Sequence, residues 1–248
     1  MISDHDAPSA WRPDTRFWVA HLVLPVLVAA MLLTFVERSG IDLWLADKWF
    51  AFEGYRWALR NHWLTYDVIH HYGKQMTIGF GLLLLTLIAL GYRVRPLRKW
   101  RLPLSYLLTS MIVIPVLITR AKRFSPVPCP WDLTRYGGDV VYQHTFSYSP
   151  GVTDFGHCFP SGHSSAGFAL LAIYFAAYLY TRRPALFLLP GLVVGVTFAL
   201  GQQARGGHFL SHDLWTLSLC WFGALALFLL FRPQRWPGPR RVARQAAR

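Results

Sequence analysis

The chain carries Pro160-Ser161-Gly162-His163 and, further on, the run Arg205-Gly206-Gly207-His208-Phe209-Leu210-Ser211-His212-Asp213, whose first histidine lies 45 positions after His163. Two imidazoles among small, hydroxylic and cationic residues suit phosphate-ester chemistry. One histidine takes a phosphoryl group as nucleophile, while the other protonates the departing oxygen and later activates water. His208 is the candidate nucleophile and His163 the candidate acid and base. An attacking imidazole works best when its second nitrogen donates to an orienting acceptor, and His212 and Asp213 are the nearby options. On a helix, His212 at +4 would lie beside His208, with Asp213 farther round.

The surrounding residues supply an anion pocket. Ser161 and Gly162 stand just before an apolar run, where free backbone N–H groups and the helix dipole favour a phosphate. The competing reading is a plain Pro-Ser-Gly turn with Ser161 as a cap. Lys122, Arg123 and Arg205 offer positive charge to the oxygens of a phosphoryl group in transit, the main catalytic need in such a transfer. Interfacial snorkelling competes for each of them. Arg135 either pairs with Asp132 as scaffold or reaches the phosphate itself. The ten histidines show no metal-ligand spacing, so the chemistry is read as needing neither metal nor cofactor.

These residues must be held by membrane helices. Of 248 residues, 54% are hydrophobic and only 15% charged, too apolar for an ordinary soluble domain. The fold class is all-α, a polytopic bundle of about six spans: 17–36, 76–92, 102–119, 164–180, 185–200 and 214–231. The first is read as a retained span, since no basic run precedes it and no small-residue cleavage site follows. Residues 41–52 read as an amphipathic helix, lying in the interface or packed on its own protein. One domain spans 1–248, with its chemistry in 122–213 and a basic tail at 232–248.

The net charge of +13 is not a nucleic-acid footprint, because the basic residues flank apolar spans. Of the 25 Lys and Arg, 15 crowd into the short segments of one side, which predicts cytoplasmic termini. Loops 37–75, 120–163 and 201–213 then face outward, placing the chemistry on the extracytoplasmic side. Cys129 and Cys158 share one of these loops, and a disulfide between them fits an oxidising compartment.

On these motifs the chain resembles the type 2 phosphatidic acid phosphatase superfamily in its membrane-bound lipid phosphatase branch. That family pairs Pro-Ser-Gly-His with a Lys seven positions before Arg-Pro, and with an Arg six positions before a His that is followed at +4 by Asp. The resemblance implies phosphate binding by Ser161 and Gly162, acid–base work by His163 and a phosphohistidine on His208. Here Cys129-Pro130 stands at the Arg-Pro place after Lys122, Gln202 stands six before His208, and His212 occupies the Asp place. Arg205 and Arg135 are candidate replacements for the arginines, and the His212–Asp213 pair for the acid. The implied activity is metal-independent release of phosphate from a lipid phosphate or pyrophosphate at the outer face of a bacterial inner membrane. The alternatives are a lipid phosphotransferase, or an inactive relative that binds anionic lipids.

Overall fold

The computed structural model describes residues 12–145, 156–233 and 236. In chain order, α1 (Thr15–Ser39) turns through the left-handed Gly40 into α2 (Ile41–Phe52). Then come α3 (Leu64–Leu90), α4 (Arg101–Lys122), α5 (residues 162–178), α6 (Pro184–Ala204) and α7 (Leu210–Leu230). Helices α1, α3, α4, α6 and α7 are each long and apolar enough to cross a membrane. Leu27, Met31 and Phe35 of α1, Leu82 and Leu83 of α3, Leu117 of α4 and Val193 of α6 are all exposed. Such a belt is costly in water and natural in hydrocarbon. The chain is a multi-pass membrane protein.

The sixth expected span, α5, is the shortest. It joins Gly162–Phe168 to Ala172–Tyr178 through a 3-10 turn, Ala169–Leu171, and rises roughly 25 Å. Nearly all of its residues from Ser164 to Ala177 are buried or half-buried, so it is the bundle's central helix. Glycines let α6 pack directly on it: a methyl group at Gly167 would stand 2.5 Å from the Gly195 nitrogen and 2.6 Å from its Cα. Small-residue crossings of this kind let helix backbones approach closely in a bilayer. Phe168, Leu171 and Phe175 of α5 meet Tyr106, Ile114 and Ile118 of α4 and Phe228 of α7 in the main core. The buried Tyr106 hydroxyl donates to the Ala224 carbonyl at 3.0 Å, fastening α4 to α7.

One expectation changes and one alternative narrows. The second span begins at Leu64, not Met76, because its N-terminal end winds as a wide π-helical segment over Leu64–Tyr72. Asp67, His70 and His71 in that segment hide it from an apolar-run reading. The amphipathic α2 packs on its own protein along one side: Asp42 and Ala46 are buried, and Ala46 joins Leu133, Tyr136 and Phe209 in a second small core. Its Trp44 and Phe52 stay exposed. Most of the basic tail, 234–235 and 237–248, lies outside the described residues.

Candidate active site

The N-terminal ends of α3, α5 and α7 and the C-terminal ends of α4 and α6 converge on one face. At the end of α4, the Lys122 side chain comes within 3.9 Å of where a methyl group on Gly162, the residue that opens α5, would stand. Ser161, fully buried, leads into α5, and the buried Thr216 of α7 donates to its carbonyl at 3.2 Å. The Ser161 hydroxyl has no well-aligned hydrogen-bond partner among the described residues. Lysine, serine and the first turn of α5 therefore meet as the anion-pocket reading requires.

His208 lies in the short connection between α6 and α7 and is only 5% exposed. Its Nδ1 stands 3.4 Å from Nδ1 of His212, so the +4 neighbour is the one it faces, although His208 itself precedes the helix. The Cys158 backbone carbonyl is a hydrogen-bond acceptor for both imidazoles. A carbonyl only accepts, so each of these imidazoles carries a proton on the nitrogen that faces it. Burial holds His208 well below the ordinary histidine value, and Lys122 and His212 push the same way. The ring is neutral at neutral pH, as a nucleophile must be.

Asp213 does not orient His208. Its Oδ2 accepts from the Gln203 amide at 2.8 Å, and its carboxylate lies beside the Ser161 and Ser164 hydroxyls and near Lys122. The expected His212–Asp213 replacement of the family's acid thus divides into a histidine and a backbone carbonyl at His208, with the carboxylate elsewhere.

His163 is wedged between two rings, with His70 and Phe198 centroids each 4.4 Å away. Its Nε2 lies 3.2 Å from the Ile69 carbonyl. Since that oxygen must receive a proton, Nε2 carries one and Nδ1 is left as the basic nitrogen. Arg205, 7% exposed, donates through Nε to the Arg60 carbonyl at 2.8 Å and lies over the Tyr66 ring. Its Nη1 points to Gln202 Oε1 at 3.5 Å.

Other sequence candidates fall outside the cluster. Arg123 is exposed beyond the end of α4. Arg135 does not pair with Asp132: its Nε and Nη2 grip the two Asp47 oxygens at 2.7 Å each, clamping its loop to α2. Asp132 instead accepts from the Cys129 N–H at 3.3 Å. Asp47 wins because Tyr136, one residue along, also donates to it at 2.9 Å, giving that carboxylate a third donor. Cys129 and Cys158 are joined, with Cα atoms 5.3 Å apart. The segment 127–131 also holds the segments leading to His163 and His208 by backbone bonds, Cys158 N–H to Val127 O at 3.1 Å and Trp131 N–H to Gly206 O at 3.0 Å.

Three participants were missed from sequence: His70, the Cys158 carbonyl and Asp42, whose Oδ1 accepts the Ser211 N–H at 2.9 Å and so caps α7 from α2. His70 had a legible signal, an ionisable side chain flanking an apolar span. A backbone carbonyl and a cap supplied by another helix have none.

The family model described as the PAP2 superfamily matches residues 103–236 of the chain. No curated protein and no solved structure matches it.

Proposed function

Because the chain belongs to the PAP2 superfamily, a family whose activity is of the phosphatase or phosphotransferase type, we propose that it is a membrane hydrolase that removes phosphate from a lipid phosphate or lipid pyrophosphate. One observation carries this reading: a buried, neutral His208 with its Nδ1 side engaged, beside Lys122 and the Ser161–Gly162 turn. In the proposed cycle Nε2 of His208 attacks phosphorus, forming a P–N bond as the P–O bond to the lipid breaks. His163 enters this step as the imidazolium, charged at Nδ1 beside the bound anion, and gives that proton to the leaving oxygen while Nε2–H stays on the Ile69 carbonyl. Water then attacks the phosphohistidine, His163 takes the water's proton back at Nδ1, and the P–N bond breaks to release phosphate. Lys122, Ser161 and Arg205 offset the charge on the phosphoryl oxygens.

A site at helix mouths suits substrates whose tails stay in the bilayer. The distribution of basic residues supports cytoplasmic termini and a periplasmic site in a bacterial inner membrane. The test is phosphate release by detergent-solubilised protein from a panel of lipid phosphates and pyrophosphates in chelator, beside His208→Ala. Release that needs His208 and survives the chelator is the expected result. Label appearing on an acceptor lipid would make the enzyme a phosphotransferase, and a folded protein with no turnover would leave an anionic-lipid binder.

A further inference from the structure

His70 comes from α3, outside every motif so far used, yet its ring touches that of His163 at 4.4 Å. Its protonation can be deduced from its neighbours. The Arg205 guanidinium only donates, so the Gln202 oxygen facing its Nη1 is the acceptor and the Gln202 amide nitrogen is turned the other way. That nitrogen lies 2.8 Å from His70 Nδ1. Nδ1 therefore accepts, and the proton of the neutral ring sits on Nε2, for which no partner is found among the described residues. The relay is built tightly: a methyl group at Gly207 would stand 2.8 Å from the Gln202 oxygen and 3.2 Å from the Trp131 ring. Glycine just before the nucleophile thus makes room for the amide that sets His70. The charges acting on His70 are those of Arg205, Lys74, His71 and Lys122, all cationic or basic, so the place is made for an anion.

We propose that His70 is a phosphate-binding residue of this site, its Nε2–H donating to a phosphate oxygen of the substrate and its tautomer fixed by Gln202 and Arg205. The assignment rests on the phosphatase reading above. It gives α3, the least buried of the long spans, a part in substrate binding. It also explains what Gln202 does six positions before His208: the residue sets a histidine donor instead of contacting the anion with a charge of its own.

Two substitutions separate this role from mere packing against His163. His70→Phe keeps a ring against His163 and removes the donor, whereas His70→Gln keeps an N–H and removes the ring. With orthovanadate as probe, titrated onto the full-length protein in detergent, His70→Phe should bind roughly 10-fold or more weakly, and His70→Gln should stay within a few-fold of wild type. KM for the best lipid phosphate should rise in the same order. The reverse order, Phe retained and Gln lost, or vanadate affinity unchanged in both, overturns the proposal and leaves His70 a stacking partner. Should either variant misfold, Gln202→Leu supplies the same test, since it removes the hydrogen bond that holds the tautomer and should also weaken vanadate. If wild-type protein neither binds vanadate nor releases phosphate through His208, the phosphatase reading itself fails and His70 with it.

Discussion

At the residue scale, His208 is held by two neighbours, the Cys158 carbonyl and the His212 ring, and this sets how far each substitution should reach. In His212→Ala the Cys158 carbonyl still holds the His208 tautomer, so kcat should fall by about 10- to 100-fold, well short of the roughly 10⁴-fold known where an orienting acid is the sole holder. Steady-state rates on one lipid phosphate decide it; a loss as complete as that of His208→Ala would show that the carbonyl contributes nothing. The depressed proton affinity of His208 makes a second prediction. Protonated imidazole cannot attack, so phosphoenzyme formation should persist as pH falls through 6.5 and fail only further into acid. Lys122 contributes to that depression through its charge, so Lys122→Met should raise the His208 pKa and move the acid limb toward neutral pH, whatever it does to the maximal rate. Single-turnover labelling from pH 4.5 to 8 measures the limb; a limb that stays put in Lys122→Met would remove the lysine from the nucleophile's surroundings.

Helices and loops position these residues by contacts that are not periodic, which is why the elements were more legible than their junctions. Apolar runs announced five of the six spans to within a few residues, and Pro-Ser-Gly-His marked the mouth of α5. The N-terminal end of α3 is not legible because hydropathy penalises its histidines, and Arg135 reads in sequence as a partner of the nearest acid, not of Asp47 88 positions away. Nor does the sequence show that α7 is capped by Asp42. Burial raises the Asp42 carboxyl to about 6, above the ordinary aspartate range. A group raised on folding lends stability that is complete below its unfolded value and is lost as pH rises through its folded one, here across roughly pH 4 to 6. Asp42→Asn keeps the acceptor without the charge, so its melting temperature relative to wild type should improve as pH rises through 6. Asp42→Ala orphans the Ser211 N–H and should stay about 1–2 kcal/mol less stable than Asp42→Asn at both pH values. Thermal unfolding at pH 5 and 7.5 tests both; equal curves for Asn and Ala would mean that the cap is idle. The disulfide acts on the same junction. Replacing Cys129 and Cys158 by Ser should destabilise by about 3 kcal/mol on the chain-entropy view. By loosening the Cys158 carbonyl, it should also lower kcat about 10-fold at temperatures where the protein is still folded.

Over the whole molecule, one asymmetry governs the function: the chemistry collects at one end of the bundle and the dense arginines at the other. Arg93, Arg95, Arg98, Lys99 and Arg101 crowd the link between α3 and α4, at the end opposite the face where Lys122, His163, His208 and Arg205 meet. Positive residues in short loops are retained on the cytoplasmic side, so the site should open to the other compartment. The Cys129–Cys158 disulfide on that face fits an oxidising compartment, and the two features point the same way although they arise from unrelated physics. The native chain offers a clean background for testing this, since its third cysteine, Cys220, is fully buried in α7. Val141 on the site face and Tyr92 in the α3–α4 link are 70% and 67% exposed. With intact spheroplasts and a membrane-impermeant maleimide, Val141→Cys should be labelled at once and Tyr92→Cys only after lysis. The opposite pattern would turn the molecule over. The site would then face the cytoplasm, its substrates would be lipids of the inner leaflet, and the disulfide would lose the compartment that maintains it.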